Sequence, residues 1–182
     1  MSSALPALAA LTIASPPSDR PDAGSALRIA AYCNSVGIPW AVLDPHGPAA
    51  GEPPVWQVLE GHGLAQLSYR SQTITLPEPI QAAVRTGLTP DDQRQSWEAA
   101  MERVGILFPN VSTGYRESAE VLLPHVATLI RHGVRWANWP VAAEETRARA
   151  VQYLIGRGRY REVREFGADL PWVPKEPWVK IS

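Results

Sequence analysis

The chain has 182 residues, 17 basic and 18 acidic side chains, a formal net charge of −1, 45% apolar residues and one cysteine. That length suits one domain around one core, and the apolar share with so little net charge excludes a disordered chain. Thirteen glycines and a lone Cys33 exclude collagen-like and disulfide scaffolds, and near-neutrality gives no global pull toward DNA or anionic membranes.

In chain order, residues 4–14 form an apolar run without a charged n-region, too short for a bilayer that needs about 20 residues. With the turn-rich stretch 15–24 it reads as an N-terminal arm and linker (residues 1–24). Ser25 is the expected N-cap of a helix over 26–36, with Ala26, Ile29, Ala30, Cys33 and Val36 on one face and Gly37 ending it in a left-handed conformation. Residues 38–43 are expected to be extended, and 44–48 to turn into a loop that ends at Pro53 and Pro54. Helix and strand templates fit 55–60 equally. Residues 64–69 and 72–76 read as strands. Pro77 and Pro79 open a helix to Thr86, closed by Gly87.

Thr89, Pro90, Asp91 and Asp92 supply a cap, a first-turn proline and acids at the positive end of the next helix. That helix is expected to pass Trp97 and Met101 and stop at Gly105. Residues 106–108 then read as a buried strand or extended segment. Residues 110–114 turn into a helix from Tyr115, broken near Pro124 and ending at Gly133. Residues 134–139 read as a strand, and 142–155 and 160–166 as helices. The fold class is therefore α+β: a single compact mixed α/β domain over residues 25–170, with a small mixed sheet flanked by several helices. Residues 171–182 form a Pro/Trp-rich tail with prolines at 171, 174 and 177, the period of a polyproline II helix.

Three segments carry candidate chemistry. In 108–119, unpaired N–H groups at a helix start would face a polar turn, which suits a phosphate. There Ser112 and Thr113 add hydroxyl donors, Gly114 allows close approach, Arg116 adds a bidentate anion contact, and Glu117 could hold a metal or act as a base. Ordinary helix capping explains the same residues. The second is a charge asymmetry: residues 1–103 carry six basic and ten acidic groups (−4), and 104–182 carry eleven and eight (+3). Arg147, Arg149, Arg157, Arg159, Arg161 and Arg164 concentrate the excess, with Tyr160 among them. This set fits either nucleic-acid contact or a solvated basic face. The third is the tail, which either docks on its own domain or fills a partner's groove. The four histidines lack zinc-ligand spacing, Cys33 reads as packing, and a lone cysteine makes a reducing cytoplasm the default.

Residues 113–119 (Thr-Gly-Tyr-Arg-Glu-Ser-Ala) resemble the Gly-x-Arg turn that opens a helix in the ParB/sulfiredoxin fold. With residues 32–40 as a family-like opening, the chain resembles the Osa/FiwA family of plasmid fertility-inhibition proteins. The resemblance implies a bacterial cytoplasmic inhibitor of conjugative DNA transfer through a type IV secretion system, peripheral at the inner membrane through a partner. It implies DNA and the coupling ATPase as partners, and ATP with a divalent cation such as Mg as cofactors. Gly114 and Arg116 would bind phosphate and Glu117 would stand nearest the metal, for ATP hydrolysis and DNA cleavage. Glu117 takes the place of a second arginine in the commoner ParB turn. The alternative is a non-enzymatic interaction module docking through its N-terminal arm and Pro/Trp tail.

Overall fold

Ala23, Ala26, Leu27 and Ala30 recur at helical spacing and bury one side of α1 (Pro21–Ala30). The computed structural model describes residues 21–109 and 116–167. Helix α1 starts inside the stretch expected to be linker and ends well before Val36, so Ser25 lies within it rather than capping it. Gly37 does adopt a left-handed conformation (φ +75°), but in the connection to β1 (Ile38–Pro39).

The expected extended stretch 38–43 is corrected. After Pro39 the chain makes a single helical turn, α2 (Trp40–Leu43), closed by the Asp44 N–H on the Trp40 carbonyl at 2.9 Å. Val42 and Leu43 are adjacent and both buried, which an alternating strand would not permit. The turn over 44–48 forms, with Gly47 at φ +72°. The ambiguous segment is helical: α3 (Val55–Gly61). The two expected strands appear as β2 (Gln66–Ser68) and β3 (Thr73–Thr75), and the next helix as α4 (Glu78–Gly87).

Strand order is β1-β3-β2, with Ile38 and Leu67 both opposite Ile74. Each pairing is antiparallel, which corrects the expectation of a mixed sheet. The second half is helical: α5 (Pro90–Leu107), α6 (Arg116–Gly133), α7 (Val141–Gly156) and α8 (Tyr160–Gly167). The described residues thus form an α+β arrangement of eight helices and one small antiparallel sheet.

Thr89 caps α5 as expected, its Oγ1 accepting from the Asp92 N–H at 3.2 Å. Gly105 is not a stop: α5 continues to Leu107, so the expected strand over 106–108 is corrected. A Cβ on Gly105 would lie 2.3 Å from Thr146 Oγ1, so the glycine marks where α7 crosses closest. Pro124 does not break α6. It sits on an exposed face, where the backbone carbonyl it leaves unbonded can reach water. The expected strand over 134–139 is also corrected. Trp136 N–H bonds the Gly133 carbonyl at 2.9 Å, Asn138 takes φ +57°, and the chain turns so that Trp136 and Trp139 pack on Trp97. Helix α8 ends about where expected.

His125 of α6 ties the two halves together, its Nε2–H donating to the Gly37 carbonyl at 3.1 Å. Its Nδ1 is buried without a partner among the described residues, which a neutral ring tolerates and a protonated one does not. Burial, partly offset by the Gly37 bond, lowers its pKa to about 4. The folded state therefore binds fewer protons than the unfolded chain between pH 6.5 and about 4, so stability falls on acidification through that window. We expect His125 to contribute a loss on the order of 3 kcal/mol across it, read as the difference between wild type and His125→Asn in urea melts at several pH values, since His132 titrates in the same window. In His125→Asn this acid slope should be reduced.

Candidate functional site

Of the expected phosphate-binding residues, Ser112, Thr113 and Gly114 lie outside the described residues. Arg116 and Glu117 occupy the exposed first turn of α6. One turn on, the Glu120 carboxylate joins three helices. It accepts from Tyr153 of α7 at 2.7 Å and from Arg159 Nη1 at 2.8 and 2.9 Å. Arg159 also donates to Glu162 of α8 from Nε and Nη2, both at 2.6 Å. The Tyr153 bond, then Arg159, hold the Glu120 carboxyl below the usual range against a smaller cost of burial, and the charge of Arg116 also contributes. The two glutamates, Glu162 first, raise the Arg159 pKa further, so it stays fully charged.

This clasp brings Arg116 to the same end of the molecule as Arg157 and Arg159, since Arg116 and Arg157 both act on Tyr153 through their charge. Gly158, at φ +70°, makes the turn from α7 into α8. Arg157, Tyr160, Arg161 and Arg164 are exposed along this turn and α8, while Val163 and Phe166 face the core. These three arginines form no ion pair among the described residues.

The other expected nucleic-acid contacts are engaged within the chain. Arg149 donates to the Phe108 and Gly105 carbonyls at 3.0 and 2.9 Å, satisfying the C-terminal end of α5. Arg147 pairs with Glu144 at 2.7 Å and lies over the Trp139 ring at 5.1 Å. The six arginines thus divide into three engaged with partners inside the chain and three that face solvent.

Among the described residues no three His, Cys, Asp or Glu side chains converge as metal ligands do. Cys33 is buried, and burial pushes its thiol up to about 12, so it remains a protonated packing group. No helix among the described residues is long and apolar enough to cross a membrane.

Sequence reading did not find Glu120 and Tyr153, which lie 33 residues apart. It also did not find a second basic group, where Arg85 of α4 meets Arg131, His132 and Arg135 at the end of α6. The one available signal was the cluster of cations at 131–135; nothing linked it to residue 85. No family model, curated protein or solved structure matches the chain.

Proposed function

We propose that the chain binds nucleic-acid backbone along α8 and the turn before it, and that it does so as a plasmid-encoded inhibitor of conjugative, type IV secretion-dependent DNA transfer. One observation supports the first part: Arg157, Arg161 and Arg164 are solvent-exposed beside Tyr160, free of ion pairs among the described residues. Arginines with an interleaved aromatic ring suit phosphates and an unstacked base. The inhibitory role, the coupling ATPase as partner, the ParB/sulfiredoxin fold, and ATP hydrolysis with metal-assisted DNA cleavage rest on the sequence resemblance. In that proposal Arg116 holds phosphate and Glu117 assists the cation at the exposed start of α6.

Binding of a labelled single-stranded oligonucleotide across a salt series tests the proposal. The triple variant R157A/R161A/R164A should bind at least tenfold more weakly and lose about two units of slope in log K against log salt, at roughly 0.7 per neutralised phosphate. Equal affinity and slope in the two proteins would sink it.

A specific observation favours a second reading. The order α1–β1–α2–α3–β2–β3–α4, with sheet order β1-β3-β2, has the layout of a winged helix–turn–helix, the β2–β3 hairpin serving as the wing. Trp40 and Trp56 stack in parallel there at 4.6 Å, and the exposed Tyr69 meets Trp40 edge-on at 5.6 Å. Helix α3 and the hairpin together carry only Glu60 and Arg70 as charged residues, a composition suited to docking a protein rather than DNA. In this reading the chain is an interaction module. W56A/Y69A should then abolish partner capture while leaving oligonucleotide binding unchanged.

A further inference from the structure

The basic group at the end of α6 borders a cavity of ≈ 360 Å³ between residues 33–35, α4 and α6. Arg85 and Arg131 line it with Glu78, and no guanidinium of Arg85, Arg131 or Arg135 forms an ion pair among the described residues. Arg85 is half-buried, and desolvation disfavours its charged form. Positive charge is thus concentrated in a recess, at a cost in solvation, with Glu78 as its nearby counter-charge.

The walls are ordered by bonds that leave donors facing inward. Gln81 fixes the 30–33 backbone by donating to the Ala30 and Cys33 carbonyls at 2.8 and 3.0 Å. Arg85 holds the Ala31 carbonyl. Asn34 Oδ1 accepts from the Val36 N–H at 3.0 Å, which leaves the amide NH₂ of Asn34 to donate. The Ser35 hydroxyl donates to nothing among the described residues, and Arg131 spends one N–H on Thr128 of its own helix at 2.9 Å. Donors therefore approach from three sides, from the 33–35 turn, from α4 and from α6, which fits a tetrahedral oxyanion better than a planar carboxylate. The volume exceeds that of a bare oxyanion and falls in the range of small-ligand sites, about 300–1,000 Å³.

We propose that this cavity binds a small phosphate-bearing anion. The ligand replaces the solvation that Arg85 has lost and balances the positive charge that Glu78 alone leaves over beside Arg85 and Arg131. The site is separate from α8 and does not depend on the nucleic-acid reading.

His132 provides an internal reporter. Burial, and then Arg85, Arg135 and Arg131, hold its pKa at about 4, while its ring meets Tyr32 edge-on at 5.5 Å. A bound anion offsets the three arginines, so the His132 titration midpoint should rise.

Inorganic phosphate and glycerol phosphate, each titrated into the full chain by calorimetry and by NMR of the histidine ring, test the proposal. Saturable one-to-one binding is expected, with an upward shift of the His132 midpoint. Arg131→Gln and Ser35→Ala should each weaken it, the former at least tenfold. Both side chains can change without touching the Arg85 anchor, so folding is preserved. Equal affinity for the two ligands would identify free phosphate as the occupant, and tighter binding of the ester a phosphorylated metabolite; either supports the site. R157A/R161A/R164A should bind both ligands as the wild type does. Absence of saturable binding, unchanged affinity in Arg131→Gln, or an unmoved His132 midpoint would overturn it.

Discussion

Replacing Trp97 by alanine should lower the unfolding free energy by about 3–5 kcal/mol, the largest effect of any single truncation we expect in this chain. The side chain is fully buried, and its indole N–H donates to the Leu129 carbonyl at 2.8 Å. Trp136 and Trp139 lie 4.9 and 5.3 Å from its ring. The backbone beneath cannot close the void, because Gly133 already lies so near that a Cβ there would come within 2.5 Å of Trp97 Cζ2. Alanine therefore removes an aromatic cluster at its centre and leaves a cavity at the α5–α6 contact. Trp97→Phe keeps most of the volume and loses the indole donor, so it should cost about 1–3 kcal/mol. Urea melts of both variants check the ranking. A loss below 1 kcal/mol for alanine would mean that Trp136 and Trp139 repack into the space.

The second large effect is expected where α5 and α7 cross. Gly105→Ala places a methyl group 2.3 Å from Thr146 Oγ1 and 3.4 Å from Thr146 Cβ, and both belong to a β-branched side chain that cannot swing far inside a helix. Thr146 Oγ1 also donates to the Ala142 carbonyl at 2.8 Å, which fixes its rotamer further. Overpacking at such a crossing costs about 1–3 kcal/mol, and more if Arg149 is pushed off the Gly105 and Phe108 carbonyls. Thr146→Ala removes the clashing oxygen. The double variant should then recover most of the loss, giving a coupling energy of about 1 kcal/mol or more in a double-mutant cycle. Strict additivity would show that the helices simply move apart.

Much of the fold was legible wherever a signal was local. Thr89 and Pro90 marked the start of α5, and Pro77 and Pro79 that of α4, because caps and proline geometry act within one turn. The misreadings share a cause. Gly105, Pro124 and residues 134–139 carry local signals of a stop, a break and a strand, and at each the tertiary contact decides otherwise. Gly105 is required by Thr146, and Trp136 and Trp139 are drawn out of a strand by Trp97. The candidate site shows the same split. The arginine cluster was visible as composition, but its division into engaged and free members depends on Glu120 and the end of α5, which lie 39 and 41 residues from Arg159 and Arg149.

The described tryptophans fall into two separate groups, and this gives the molecule a built-in optical readout. Trp97, Trp136 and Trp139 crowd together at the α5–α6 junction, whereas Trp40 and Trp56 form a parallel stack beside the β2–β3 hairpin. Rings this close exchange excitation, so each group emits as a unit whose intensity and exciton circular dichroism depend on its own geometry. Loosening of the α5–α6 contact alters the first signal, and loosening beside the β2–β3 hairpin the second. With Trp172 and Trp178, which lie outside the described residues, replaced, the coupling between these two regions can be read from the chain's own light, without an added label.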